Sequence, residues 1–89
     1  MSRKTLILSA ADLVAAVRAG EDLRRIDYFA HSDLSGANLA GAYFRWACFV
    51  GADLSEANLS GADLLETNLR RAYMNGANLH GARVDDDAW

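Results

Sequence analysis

The chain has little of what most catalytic or metal sites are built from. One cysteine, Cys48, stands among 89 residues. A lone thiol excludes an internal disulfide and suits a reducing compartment, so a cytoplasmic location is expected. There are two histidines, His31 and His80. No Cys-x-x-Cys, His-Glu-x-x-His or phosphate-loop pattern is present. No catalytic constellation emerges, and the sequence predicts a non-enzyme with no cofactor and no metal site. There is also no run of 18 apolar residues, so no membrane span is expected. The start, Met1 to Leu8, is basic and then apolar, but the apolar part is too short for a signal-peptide core and Asp12 interrupts soon after. Basic charge is scarce in most of the chain. Residues 1–26 carry five basic and three acidic groups, whereas residues 27–89 carry four and nine, a net −5. A body of that sign disfavours direct binding to nucleic acid.

What is present in quantity is a single pattern of period five. Every fifth residue from Phe29 is apolar: Phe29, Leu34, Leu39, Phe44, Phe49, Leu54, Leu59, Leu64, Leu69, Met74, Leu79, Val84 and Trp89. The chain is 52% hydrophobic, so chance would make about half of these apolar. Two places before the comb the residue is small, mostly alanine, with Ser32 and Thr67 as near-equivalents and Asp27 and Asp87 as exceptions at the two ends. Between them stands Asp or Asn at 33, 38, 53, 58, 63, 68 and 78, and six of the seven glycines lie two residues after the comb.

Five matches neither the 3.6-residue period of a helix nor the 2-residue period of a strand. It suits a short extended side with two inward residues, followed by a corner. Sides of equal length joined by corners make a coil, and stacked coils make a solenoid. A second period of twenty runs through the same residues: Asn38, Asn58 and Asn78 coincide, as do Leu39, Leu59 and Leu79, and Gly41, Gly61 and Gly81. Twenty residues are four sides. Three coils at strand spacing make a stack only about 14 Å tall.

Runs such as Ala37-Asn38-Leu39, Ala52-Asp53-Leu54, Ala57-Asn58-Leu59 and Ala77-Asn78-Leu79 resemble the pentapeptide-repeat family, A-[DN]-L-x-x. The resemblance implies an all-β solenoid, a right-handed quadrilateral β-helix, here of about three coils over residues 27–89. It says little about function, because the family hosts several.

Residues 1–26 read as an N-terminal cap, a short strand over Thr5–Leu8 followed by a helix. Ser9 is an N-cap with Asp12 three residues on, Ala10–Ala19 is rich in helix formers, Leu13, Ala16 and Val17 share a face, and Gly20 is the C-terminal stop. Such a cap covers the first coil, whose open edge otherwise invites aggregation. Leu23 lies six residues before Phe29, which implies one extra residue at the first corner. At the far end Trp89 falls on the comb and is expected either to lie over the last coil as a lid or to leave that end open for a homodimer, as in some relatives.

The outward positions supply two candidate binding surfaces. Numbering the sides from residue 27, the second shows Asp33, Asp53 and Glu56, and the fourth shows Asp63, Glu66, Asp85 and Asp86 with Arg45 and Arg83. Two opposite acidic faces on a narrow rod resemble duplex DNA, the device attributed to pentapeptide-repeat proteins that protect gyrase. The implied partner is then a DNA-binding enzyme, a topoisomerase or a defence-system nuclease. The corner between the fourth and first sides is apolar instead: Tyr43, Trp46, Cys48 and Val50, with Leu65 one coil on. An outward Trp beside Tyr and Arg has the composition of a binding hot spot, and implies a structural or adaptor protein. The asparagine column reads as a ladder of amides bonding coil to coil, the glycines as corners tolerating φ > 0. Stacking at twenty puts Tyr28 and Asn68, and no histidine, beside Cys48, so its thiol has no activating partner.

Overall fold

A chain that repeats every five residues must satisfy five backbone N–H groups per repeat, and the computed structural model, which describes residues 9–23 and 29–89, shows where each goes. In Ala57–Gly61 the Ala57 N–H bonds Leu54 O across the corner at 3.0 Å. Asn58 N–H reaches back one coil to Ala37 O (2.9 Å), and Leu59 N–H forward one coil to Asn78 O (2.8 Å). Gly61 N–H also goes forward, to His80 O at 2.9 Å. That leaves Ser60, the first corner residue, whose N–H is taken by its neighbour's side chain, Asn58 Oδ1, at 3.0 Å. A buried or half-buried amide left unpaired costs about 1–3 kcal/mol, so this last bond explains why Asp or Asn precedes the comb residue.

The same bond recurs at Asp33, Asn38, Asp53, Asp63, Asn68 and Asn78, each accepting from the N–H two residues on. It corrects the reading of the asparagine column. An amide does bond from coil to coil, Asn58 Nδ2 to Asn38 Oδ1 at 3.4 Å, but all three asparagines of the column also serve their own corner. Short Asx side chains reach their own backbone more cheaply than a neighbour 4.8 Å away. Asn58→Asp should therefore be tolerated in thermal melts, because the acceptor survives, while Asn58→Ala should cost about 1 kcal/mol. A costly aspartate and a neutral alanine would restore the amide ladder.

The corner has an i→i+3 hydrogen bond, as in Ala37 N to Leu34 O at 3.1 Å. Its third residue is left-handed: six repeat glycines have φ between +67° and +74°. That is the type II signature, which elsewhere admits proline at the second position. Here the second position needs its N–H for the Asx bond, and the chain contains no proline.

Coil-to-coil pairing is parallel with an offset of twenty: Asp33, Asp53 and Tyr73 on the second side, Asn38, Asn58 and Asn78 on the third, Tyr43 and Asp63 on the fourth, Cys48 and Asn68 on the first. Among the described residues, only the fourth side extends this into two-residue strands, β1 (Asp63–Leu64) and β2 (Arg83–Val84). Sides this short leave room for little more than one paired residue between corners.

Inside, comb and small residues alternate with the corners. Leu39, Phe44, Phe49, Leu54, Leu59 and Leu64 are fully buried, as are Ala52, Ala57 and Ala62. Phe29 stacks on Phe49 at 5.0 Å, and Phe44 meets Phe49 edge-on at 4.9 Å. Thr67 fills a small slot and places its hydroxyl on Phe44 O at 2.9 Å, so the buried hydroxyl is satisfied.

The helix α1 (Ala10–Arg18) forms as expected. Ser9 Oγ accepts from Asp12 N–H at 3.3 Å. Its C-terminus closes with Gly20 at φ +71, Gly20 N–H on Val17 O and Glu21 N–H on Ala16 O, the paired bonds of a Schellman ending. Leu13, Ala16 and Leu23 are fully buried in the same core as the repeat residues, with Val17 packed at its edge. The strand expected at Thr5–Leu8, the Asp27 slot and the Tyr28 neighbour of Cys48 lie outside the described residues.

The far end departs from the comb. Ala88, not Trp89, is buried, and Trp89 is 50% exposed. The cause is visible in the hydrogen bonds. Asp85 gives its carboxylate Oδ2, not its carbonyl, to Glu66 N–H at 2.6 Å. Ala88 N–H turns back to Asp85 O, while Ala88 O still meets Leu69 N–H at 3.0 Å. The side chain has replaced a ladder rung, and the corner that follows closes one residue later, while the Leu69 rung keeps its regular offset. Trp89 is therefore no lid, and Asp87, placed inward by the comb, is exposed. Met74, Leu79 and Val84 are only partly buried against the core.

Candidate protein-binding face

The fourth side and its corner bring together residues that the sequence had divided between two surfaces. Arg45 Nη2 donates to Asp63 Oδ2 at 2.7 Å, across one coil. The Arg45 guanidinium also lies 5.7 Å from the Tyr43 ring centre and 5.8 Å from that of Trp46, within cation–π range of both. Asp63 is thus held by Arg45 and by Leu65 N–H. Partial burial pushes its carboxyl pKa up, but the Arg45 and Leu65 hydrogen bonds and the charges of Arg45 and Arg83 outweigh that and leave it below the ordinary value. A carboxylate lowered in this way stabilises the fold above the ordinary aspartate range, and the contribution is lost as pH falls through the lowered value.

The other acids differ in freedom. Asp33 is exposed and bonded to Ser35 Oγ (2.7 Å) and N–H, which lower its pKa in that order. Asp53 is half-buried and caps Ser55, and half-buried Asp85 caps Glu66. Glu56, Glu66 and Asp86 are exposed. Of the apolar set, Tyr43 and Trp46 are 41% and 42% exposed, while Val50, Leu65 and Cys48 are half-buried. His31 and His80 are exposed on the first and third sides. Among the described residues no group of three metal-ligating side chains converges, and no helix is long and apolar enough to cross a membrane.

The corners carry a further signal, found in no composition count. Among the described residues, five left-handed corner residues are not glycine: His31, Trp46, Glu56, Glu66 and Arg71. Each side chain there costs about 1–2 kcal/mol. At two corners the bulky residue lies over a glycine of the next coil, since a Cβ on Gly51 would meet the His31 ring at 2.5 Å and one on Gly76 would meet the Glu56 carboxylate. The third corner is glycine throughout, Gly41, Gly61 and Gly81. The fourth corner, Trp46, Glu66 and Asp86, has none.

Eight copies of the pentapeptide repeat are matched by the family's sequence model over residues 28–55 and 52–86. The chain belongs to the pentapeptide repeat family. Members of this family fold as right-handed quadrilateral β-helices and are structural or protein-interaction modules, generally non-catalytic. Among solved structures, a pentapeptide repeat protein (Rfr23) from the cyanobacterium Cyanothece 51142 is 37% identical with a TM-score of 0.62, over 66% of this chain and 40% of that one. HetL, a pentapeptide repeat protein involved in heterocyst differentiation regulation in the cyanobacterium Nostoc sp. strain PCC 7120, is 29% identical with a TM-score of 0.55, over 70% of this chain and 38% of that one. This chain therefore spans about two fifths of either relative. No curated protein sequence matches it.

Proposed function

We propose that this pentapeptide repeat protein is a non-catalytic binding module, a capped β-helix of about three coils that docks a protein partner at the Tyr43–Trp46 corner. The observation that carries this reading is Trp46 itself. It is 42% exposed and held at φ +68, where a corner elsewhere takes glycine. Backbone strain kept under an exposed aromatic supports a functional role. The acidic faces support a duplex-like decoy of a topoisomerase or nuclease less well. Asp63 is paired with Arg45, and Asp33, Asp53 and Asp85 are engaged by backbone N–H groups. The lone half-buried thiol, Cys48, is compatible with a cytoplasmic setting.

The two readings separate on one partner-binding measurement. Trp46→Ala should weaken partner binding by about 2 kcal/mol or more, as at a hot spot. Neutralising Asp33, Asp53 and Glu56 on the second side should change it little. A decoy inverts this: the acid variant loses binding, and duplex DNA competes in a salt-dependent way.

A second contact is supported by the partly exposed Met74, Leu79 and Val84, which suit end-to-end pairing of two copies. Sedimentation equilibrium should then give a concentration-dependent dimer that Leu79→Glu abolishes. A monomer at all concentrations would remove this contact from consideration.

A further inference from the structure

Beside the aromatic corner lies an open polar hollow of about 160 Å³, lined by Glu66, Asp85, Asp87 and Arg70 together with Thr67 and Asn68. Its charged lining is three carboxylates and one guanidinium, a net −2. It forms where the corner after Asp85 closes one residue late. The hollow and the aromatics share one edge of the molecule. Glu66 stands twenty residues after Trp46, and both are left-handed corner residues. The neighbouring rungs Phe44 N–H to Asp63 O and Asn68 N–H to Ala47 O place them one coil apart, about 4.8 Å.

Resting on the proposed reading of the corner, we infer that its partner presents an apolar anchor next to a basic side chain: the anchor packs on Tyr43 and Trp46, and a Lys or Arg head enters the hollow beside Glu66, Asp85 and Asp87. Charge complementarity selects this occupant. The cation nearest the aromatics, Arg45, is committed to Asp63, and Arg83 also faces Asp63. The unbalanced charge of the edge is therefore negative. An acidic or phosphorylated segment would meet repulsion, and an anchor alone would leave the hollow unmatched. Trp and Arg-paired carboxylates are the pairings that concentrate binding energy in small interfaces.

The test uses the whole chain and synthetic 12-residue peptides in a Gly/Ser background. Each carries Leu, Phe or Trp as anchor and Arg one to six residues away, with matched sets carrying Glu or Ser in place of Arg. Fluorescence anisotropy at low and moderate salt should show Arg peptides binding at least tenfold tighter than their Glu counterparts. Trp46→Gly should lose at least tenfold in affinity with no fall in Tm, because glycine relieves the corner, and Trp46→Ala provides a second variant of the same site. Glu66→Gln with Asp87→Asn should erase the preference for Arg over Ser and leave anchor binding in place. If Arg and Glu peptides bind equally and both depend on Trp46, the corner stands and the inferred chemistry is overturned. Binding that ignores Trp46 overturns the corner as well. No binding by any set overturns the inference alone.

Discussion

Phe49→Ala should destabilise the protein by about 3–5 kcal/mol, the range for emptying a buried aromatic site. The Phe49 ring is fully buried, lies nearly parallel to Phe29 (9° between planes) and meets Phe44 at 85°. Each such pair adds about 0.5–1.5 kcal/mol beyond burial. The side cannot relax freely into the space, because ladder bonds such as Phe49 N–H to Asn68 O at 2.8 Å and Gly51 N–H to Arg70 O pin it to the next coil. Small domains hold only about 5–15 kcal/mol in total, so this one change should remove a large share of the folding free energy. Leu59→Ala should cost about 2–5 kcal/mol, with Leu39 and Leu79 on either side in the stack. The inverse error, Ala57→Leu, should cost about 1–3 kcal/mol by overfilling a fully buried small slot. Urea melts measure all three. A Phe49→Ala loss below about 1 kcal/mol would mean that the aromatic cluster is not the centre of the core.

The inward face was legible because it is written twice, as a period of five and again as a period of twenty. Leu59 and Ala57 are buried for the reason the sequence suggested: two inward residues separated by one outward residue, then a corner. The α1 boundaries were legible because Ser9, Asp12 and Gly20 act locally, through bonds within a few residues. What escaped sequence reading depends on geometry between coils or on competition between groups. The pairing of Arg45 with Asp63 joins residues 18 apart on adjacent coils, so counting charges by column overstated the acidity of the fourth side. The role of Asn58 was read only in part, because its amide does two things at once: Nδ2 reaches Asn38 on the neighbouring coil, as expected, while Oδ1 accepts from Ser60 N–H in its own corner. Trp89 was misplaced because the comb assumes that every rung uses a carbonyl. At Asp85 the carboxylate takes that place at 2.6 Å, which moves Ala88 inward and Trp89 out. The hollow beside Glu66 lies at the same irregular corner.

Leu13→Asp should unfold the protein or leave it only marginally folded. Leu13 and Ala16 are completely buried in the core that also holds Leu23 and Phe29, so the face of α1 that carries them shares the core of the repeat residues. A carboxylate at Leu13 would enter that core with no cation beside it among the described residues, and breaking apolar burial with an unpaired charge costs several kcal/mol. The control lies on the same helix. Ala15 is exposed, and Ala15→Asp, with similar helix propensity effects and the same charge, should change stability by about 0.5–1 kcal/mol at most. Circular dichroism melts of the two variants separate loss of cover from loss of helix. If cover is what matters, Leu13→Asp aggregates or melts without a cooperative transition while Ala15→Asp behaves like the parent, and removal of residues 1–20 reproduces the Leu13→Asp result. A soluble, cooperatively melting Leu13→Asp protein would show that the repeats hold their first coil without the helix, and that α1 serves a partner.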